Sequence, residues 1–149
     1  MMTLAEEIES VCRDSSIFLV RLSGEVCARI RRELARAYGD PDGSWPLWDR
    51  VPRTGVSSLH APDAWSLIGK YVGDRGCYLL FNPQDEETIF ELRSGSDLDR
   101  LLSDSYAYEF YVTDPTLKYL ICFNHHDYLI GFGDAQAWVD ELEVSKSRS

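Results

Sequence analysis

The stretch from Tyr106 to Val139 constrains the fold more than any other part of the sequence. It contains three strand-like runs, followed by the start of a helix, and the runs span residues 106–113, 118–123 and 128–132. The last two runs are apolar on both faces, which is typical of central strands that are covered on both sides. Helices can cover one face of this pair. The other face then needs the loop that carries Trp45 and Trp48, the N-terminal helices or a second protein, so a homodimer or a partner interface is one hypothesis.

The two apolar runs are joined by Asn124–Asp127, and this connection sets the register of a predicted hairpin. If Phe123 pairs with Tyr128, then Ile121 pairs with Ile130, which places an aromatic–aliphatic ladder on one face. Asparagine and aspartate are ordinary residues of tight turns because both tolerate a positive φ. The sequence therefore predicts a tight hairpin at the centre of the sheet.

Helix and strand patterns upstream of this hairpin complete one domain. Thr3 and Glu6 have the spacing of a capping box at the start of the first helix, and Ser23 can cap the second. Helices are predicted over residues 3–13, 23–38, 62–72 and 94–102 and after Asp134, and further strands over residues 76–82 and 87–93. Residues 15–22 form either a short strand or more helix, and residues 39–62 are rich in loop residues. We therefore predict an α+β fold in which a mostly antiparallel sheet of about five strands packs with helices, as a single domain over residues 1–142 with a polar tail at 143–149.

Charge is distributed unevenly along the chain. The formal net charge is −10; residues 1–53 carry 8 Lys and Arg against 9 Asp and Glu, whereas residues 54–149 carry 7 against 16. Phosphate contacts need clustered Lys and Arg, so we expect no nucleic-acid partner. No window is apolar enough for a transmembrane helix, so we expect no membrane partner. The acidic half permits fast association with a basic protein, although a well-solvated surface is the commoner meaning.

The cysteines and the missing motifs narrow the possible chemistry. Cys12, Cys27, Cys77 and Cys122 are far apart and form no CxxC pair, so zinc-ribbon spacing is absent. Each lies in an apolar run, which favours a buried, reduced thiol and a cytoplasmic protein. The sequence also contains no GxSxG, P-loop, HExxH or GxGxxG motif. We therefore expect no cofactor and, on balance, no enzyme.

The sharpest chemical signal is the run His125–His126–Asp127. These residue types ligate metals, and histidine titrates near neutral pH. Neighbouring residues of a strand point to opposite faces, so two adjacent histidines cannot share one ion unless the turn bends them together. The third histidine, His60, is distant in sequence. We favour a structural turn, with a partner contact and a metal or general-base site as alternatives.

Other charged and aromatic residues have two readings each. Trp45 and Trp48 either pin their loop to the core or mark a contact surface, because tryptophan is common at binding hot spots. The acidic turn at residues 85–87 is either solvated or docks a basic partner. Glu109 would have a raised pKa if it were buried, but exposure at an edge or a partner arginine is the favoured interpretation. Arginines on the second helix form either an exposed face or a phosphate or carboxylate site, and they are Arg29, Arg31, Arg32 and Arg36.

Two segments of the sequence carry a resemblance. EFYVTDPTLKYLICFNHHDYLIGFGDAQAW, together with DAWSLIGKYVGDRGCYLLFN, resembles a family of small uncharacterised bacterial proteins. That family ends in a YLICFNHHDYLIGFGDA-type hairpin followed by a tryptophan-containing helix, and the resemblance covers residues 47–142. It implies no particular activity or catalytic residue. More loosely, the size, acidity and aromatic-rich α+β pattern are similar to those of immunity proteins of bacterial toxin systems, including the Smi1/Knr4-like group.

These observations lead to three functional hypotheses. The leading hypothesis is a non-enzymatic protein-binding domain of the immunity or antitoxin type that occludes a basic effector. Its predicted contact residues are Trp45, Trp48, Asp85, Glu86, Glu87, Glu91, His125, His126 and Asp127. The first alternative is a metal-assisted hydrolase centred on His125–His126–Asp127, with His60 as a further candidate. The second is a structural or regulatory homo-oligomer that uses the apolar face of the sheet.

Overall fold

The computed structural model describes residues 1–39, 45–49, 55–105 and 109–148, which form a single α+β domain. The helices are α1 (Leu4–Asp14), α2 (Gly24–Tyr38), α3 (Ile68–Val72), α4 (Gly95–Asp104) and α5 (Ala135–Arg148), with 3-10 turns at Leu47–Asp49 and Ala64–Leu67. The strands are β1 (Leu19–Arg21), β2 (Val56–His60), β3 (Cys77–Leu80), β4 (Phe90–Leu92), β5 (Phe110–Thr113), β6 (Tyr119–Phe123) and β7 (Tyr128–Gly133). None of the described helices is long and apolar enough to span a membrane.

The strands form one sheet in the order β1-β4-β3-β5-β6-β7-β2, and every neighbouring pair is antiparallel. The α+β class is confirmed, but the described residues contain seven strands rather than about five. β1 shows that the ambiguous residues 15–22 include a short edge strand. β2 lies inside the segment predicted as loop and pairs along its whole length with β7. Prolines and glycines around β2 hide its alternation, in which Ser57 and Leu59 are buried and their neighbours are not.

The hairpin of β6 and β7 is present, but its register differs by one residue from the predicted one. Phe123 pairs with Leu129 rather than with Tyr128. The cause is the length of the loop: the Asn124 N–H donates to the Tyr128 carbonyl oxygen at 3.0 Å, which adds one pair to the ladder and leaves three loop residues. Asp127 has a φ of 64°, the left-handed conformation that closes such loops. A shift of one residue moves every β7 side chain to the opposite face relative to β6.

Both faces of the sheet are covered by the chain itself. On one face, α1, α3, α4 and α5 contribute apolar side chains to a core that includes Leu79, Val112 and Ile121. On the other face, α2 and the segment at residues 45–49 pack against a second core that includes Tyr111 and Phe132. Of the three alternatives that the sequence left open for this second face, the structure contains the tryptophan-bearing segment and an N-terminal helix. Because the chain itself covers both faces, the argument that a second protein must cover one of them no longer holds.

The helix starts follow local signals, whereas some element bounds differ from the prediction. The capping box of Thr3 and Glu6 is formed, and the Ser23 hydroxyl accepts from the Val26 N–H. The helix predicted over residues 62–72 is a 3-10 turn that continues into α3. α5 continues through most of the residues predicted as a polar tail. β5 begins at Phe110, and the earlier part of its predicted strand, residues 106–108, lies outside the described residues.

Candidate functional site

Three polar residues lie side by side at one end of the sheet. Asn82 follows β3 by two residues, Glu109 directly precedes β5, and Asn124 directly follows β6. Because these strands are antiparallel neighbours in that order, the three positions fall on one row across the sheet. The hairpin loop at residues 125–127 and the acidic turn at residues 85–87 project from the same end. We define the polar end of the sheet as Trp48, Asn82, Glu109, Asn124, His125 and His126.

Glu109 is the centre of the polar end. Its side chain is only 8% exposed. One carboxylate oxygen, Oε2, accepts from the Asn82 Nδ2 at 2.5 Å. The other, Oε1, lies 2.8 Å from the His125 Nδ1 and accepts from the His125 backbone N–H at 3.2 Å. The carboxylate therefore holds both the backbone and the ring of His125.

The pKa of Glu109 is lowered, and the expected exposure of this residue at an edge is wrong. Burial raises the pKa of the carboxyl, but interactions with Trp48, His125 and Asn82 favour the charged form and outweigh burial. The Trp48 indole N–H is buried and has no partner in hydrogen-bonding geometry within the described residues. It is still close enough to Glu109 to lower the pKa of the carboxyl. The Glu109 side chain is thus not exposed, and within the described residues it pairs with His125 rather than with an arginine. It remains ionised at neutral pH.

A second layer of hydrogen bonds supports Glu109 from below. The buried hydroxyl of Tyr111 donates to the Asn82 Oδ1 at 2.8 Å and accepts from the Leu47 backbone N–H at 3.2 Å. Burial raises the pKa of Tyr111 far above its ordinary value, so this hydroxyl keeps its proton. Asn82 is 3% exposed. The chain of bonds therefore joins the tryptophan-bearing segment to Glu109 through groups that water does not reach.

The hairpin loop brings the two histidines together. The Asn124 Oδ1 accepts from the backbone N–H groups of His126 and Tyr128 at 3.0 and 3.1 Å, which fixes the loop. The imidazole rings of His125 and His126 lie with centroids 3.9 Å apart, and each ring centroid is 6.2 Å from that of Trp48. The strand rule that separates neighbouring side chains does not apply, because both residues lie in the loop. The loop is therefore a structural turn, and it also brings the aromatic rings together in a compact patch.

The metal-site hypothesis gains no geometric support. Among the residues that the structure describes, no three His, Cys, Asp or Glu side chains are grouped to hold a metal ion. His60 lies near the same end of the sheet, on β2, but its ring contacts Tyr128 with centroids 4.8 Å apart. Asp127 contributes backbone bonds, donating to the Asn124 carbonyl and accepting from the Ala61 N–H. Two of the three histidines therefore share a patch, and the third does not join it.

The acidic turn is attached to the polar end, and its members differ in role. The backbone N–H groups of Asp85 and Glu86 donate to the Asn82 carbonyl oxygen at 2.9 and 3.1 Å. The Glu86 carboxylate accepts from the Ala5 N–H at the start of α1 at 2.9 Å. Burial raises the pKa of Glu86, but backbone bonds, first from Ala5, lower it overall. Glu86 thus links the acidic turn to α1 through a hydrogen bond, whereas Asp85 and Glu87 are exposed.

Glu91 and Trp45 lie away from the polar end. Glu91 is inside β4, paired with β1 and β3. Trp45 packs edge-on against Tyr111, with ring centroids 5.1 Å apart, and the Arg31 guanidinium lies 5.2 Å from its ring centroid. Arg31 itself is half-buried and donates to the carbonyl oxygens of residues 81, 86 and 87. Arg31 and Trp45 are therefore held within the fold and do not belong to the polar end, whereas Arg29, Arg32 and Arg36 are exposed on α2.

The sequence patterns did not identify Asn82, Tyr111 or Asn124 as members of the site. A signal was present, since Asn82 and Asn124 each follow a phenylalanine at the end of an apolar strand, in YLLFN and LICFN. Polar side chains directly after two buried strands are expected to meet if the strands lie close together. That proximity depends on the strand order, which places only β5 between β3 and β6.

No family model, curated protein or solved structure matches the chain. Chemically, the polar end offers a fixed imidazole on an ionised carboxylate, beside a second imidazole and an indole. His125 is 61% exposed, so the Glu109-bound ring faces solvent. Such an arrangement can present a rigid aromatic and polar patch to a partner, or it can orient one imidazole as a proton acceptor.

Proposed function

We propose that the protein is a non-enzymatic binding protein of the immunity type, which occludes a basic partner protein with the polar end of its sheet. The observation that carries this proposal is the support of an exposed patch by buried bonds. His125 and His126 lie on a loop held by Glu109 and Asn124, and they stand beside Trp48. A surface that is fixed before binding loses little conformational entropy when the partner docks.

Charge at the same end supports a basic partner. The exposed carboxylates of Asp85 and Glu87 lie on the turn that is bonded to Asn82. Asp127 and the ionised Glu109 add further negative charge around the hairpin loop. The whole chain has a net charge of −10. Complementary charges of this kind accelerate association and favour basic over acidic partners. We propose a cytoplasmic location as well, with which the four buried free cysteines are compatible.

The proposal is tested with exposed residues, so that loss of binding does not reflect loss of folding. A tagged chain is used to capture binders from the native host, and the same capture is repeated with the triple variant Asp85→Asn/Glu87→Gln/His126→Ala. A control variant, Asp140→Asn/Glu141→Gln, removes the same carboxylate charge from exposed positions on α5. We expect to capture a basic protein that the control variant still binds. The triple variant should bind this protein at least tenfold more weakly. The association rate with this protein should fall as salt rises.

Three results would contradict the proposal. They are a captured partner that is acidic, equal capture by both variants, or an association rate that salt does not change. A gene for an effector protein beside the gene for this chain would support the immunity class. A neighbourhood of metabolic enzymes would count against it.

A second candidate function is hydrolysis with His125 as the proton acceptor. The observation that favours it is the bond between the His125 Nδ1 and the ionised Glu109, an arrangement that orients imidazoles in many enzymes. A panel of ester and phosphoester substrates, assayed with and without added divalent metal, tests this function. Activity that His125→Gln and Glu109→Gln both abolish, and that His126→Ala retains, would support the hydrolase. Activity that is independent of His125 would exclude it.

A further inference from the structure

The opposite end of the sheet carries a second polar surface, a cavity of about 340 Å³. Six of its lining residues carry the argument, and they are Tyr71, Arg75, Asp114, Lys118, Tyr119 and Asp134. The antiparallel order explains why they meet. Asp114 follows β5, Lys118 precedes β6 and Asp134 follows β7, so the three positions lie at one sheet end. This volume is in the range of small-molecule sites.

The two cations of the cavity form no ion pair within the described residues. Within the part of the chain that the structure describes, neither Arg75 nor Lys118 forms an ion pair or donates a side-chain hydrogen bond. Both are exposed at the cavity margin. Lysine and arginine without internal partners are available to a ligand carboxylate, and arginine offers it two parallel hydrogen bonds. The cavity lining therefore offers cations that suit an anionic group.

The carboxylates of the cavity supply the complementary charge. Asp134 accepts no side-chain hydrogen bond within the described residues, whereas the Asp114 Oδ1 accepts from the N–H and hydroxyl of Thr116 at 2.9 and 2.6 Å. Burial and then the charges of Asp134 and Asp114 raise the pKa of Tyr71. Both carboxylates line the cavity together with this tyrosine. Two carboxylates and two cations leave the lining formally neutral. A ligand with a single charge would meet repulsion as well as attraction.

Aromatic rings form the apolar part of the lining. Tyr71 and Tyr119 meet edge to face, with ring centroids 5.1 Å apart, and the Trp138 ring also packs against Tyr71, with centroids 4.8 Å apart. Tyr119 is 8% exposed, so its ring position is fixed by the core. Fixed aromatic walls beside charges of both signs accommodate a small apolar side chain attached to a charged head group.

We propose that this cavity binds a small zwitterion of the free α-amino-acid class. Arg75 and Lys118 bind the carboxylate, Asp134 binds the ammonium group, and the tyrosine rings contact the side chain. The site does not depend on the proposed partner-binding function, because its residues lie at the other end of the sheet from the polar end.

The test is a thermal-shift screen of all proteinogenic amino acids at millimolar concentrations, followed by amide NMR titration of those that stabilise the protein. We expect at least one amino acid to shift the amide signals of Arg75, Lys118 and Asp134. Its N-acetyl and carboxamide derivatives should bind at least tenfold more weakly. Arg75→Gln and Asp134→Asn should each weaken binding at least tenfold, whereas the exposed controls Arg32→Gln and Asp140→Asn should not.

Two outcomes would overturn the site. One is the absence of any amino acid that perturbs these amides, and the other is equal binding of the blocked derivatives. Since all four substitutions are at exposed positions, circular dichroism of each variant shows directly whether a lost affinity reflects a lost fold.

Discussion

Glu109 keeps its charge in a position where burial alone would favour the neutral acid. Hydrogen bonds from Asn82 and His125 and the nearby Trp48 indole compensate for the lost hydration, and the pKa is lowered as a result. Each of these partners would lose an interaction if the carboxylate were removed. The residue therefore couples the stability of the fold to the geometry of the hairpin loop.

Replacing Glu109 with Gln should lower the free energy of unfolding by about 2 kcal/mol at neutral pH, since a charged acceptor of several bonds is lost. A lowered pKa means that the carboxylate stabilises the fold fully above its unfolded pKa and loses this effect as pH falls through the lower, folded pKa. The difference between wild type and variant should therefore shrink in acid. Urea unfolding at neutral and acidic pH measures it, with exposed Glu141→Gln as control. A difference that is constant with pH would contradict the assignment.

Tyr111→Phe removes one buried hydroxyl without changing the shape of the ring. The Asn82 Oδ1 and the Leu47 N–H would then lack the partner that they share. We expect a loss of about 1–3 kcal/mol, because buried polar groups would be left without bonds. Tyr78→Phe on β3 is the matched control, since Tyr78 makes no side-chain hydrogen bond within the described residues. Equal unfolding midpoints for the two variants would contradict the proposed bond network.

At the scale of elements, two glycines set how closely α3 and α4 approach. A Cβ at Gly95 would lie 1.9 Å from the Gly69 carbonyl oxygen, and a Cβ at Gly69 would lie 2.5 Å from that of Gly95. The Gly95 N–H also donates to the Gly73 carbonyl oxygen at 2.7 Å. Backbone meets backbone at this crossing, so no side-chain rotation can relieve an added methyl group. The packing of both helices on the sheet depends on this contact.

Gly95→Ala should therefore destabilise the protein by about 3 kcal/mol, since the helices must separate to accommodate the new Cβ. Gly24→Ala provides the matched control at the first residue of α2, where an added Cβ meets nothing within 4 Å. That variant should change stability by only about 0.5 kcal/mol, in the stabilising direction. Thermal and urea unfolding compare the two. Similar losses for both would show that the α3–α4 crossing is not close.

The hairpin loop gives a second prediction at this scale. Asp127 has a φ of 64°, which glycine adopts without strain and a β-branched residue does not. Asp127→Val should destabilise the protein by about 1–2 kcal/mol, whereas Asp127→Gly should be close to neutral. The order of the two unfolding midpoints tests the three-residue loop, and a valine variant as stable as the glycine variant would contradict it.

At the scale of the whole molecule, helices of the same chain cover both faces of the sheet. All four cysteines are buried in the two cores, as free thiols. Burial raises the pKa of Cys12 to about 11 and that of Cys77 to about 12, so neither forms much thiolate at neutral pH. Reactivity of these groups therefore reports how often the layers separate.

Alkylation of the native protein at neutral pH should be slow at every cysteine and should proceed only as fast as the cores open. Mass spectrometry after timed iodoacetamide treatment counts the modified thiols, and the denatured protein, in which all four should react, is the control. Rapid modification of Cys122, which lies in the central strand β6, would show that α2 and residues 45–49 do not cover that face stably.

The sequence alone determined the features that depend on neighbouring residues. The capping box of Thr3 and Glu6 and the cap at Ser23 need only residues within one helical turn. The bounds of β6 and β7 were predicted to within one residue, because both strands are long apolar runs with turn residues between them. The tight hairpin and the tolerance of its Asn and Asp residues for a positive φ were likewise accessible from local turn chemistry, whereas the three-residue length of the loop was not.

Only the tertiary structure decided the features that depend on distant partners. β2 became a strand because β7, more than sixty residues later in the chain, offered it an edge. The polar end could not be read from the sequence, since Glu109 meets Asn82 and His125 only through the strand order. A local pattern specifies which residues form an element. The partner that covers a face or neutralises a charge is chosen by the free energy of the whole packed molecule.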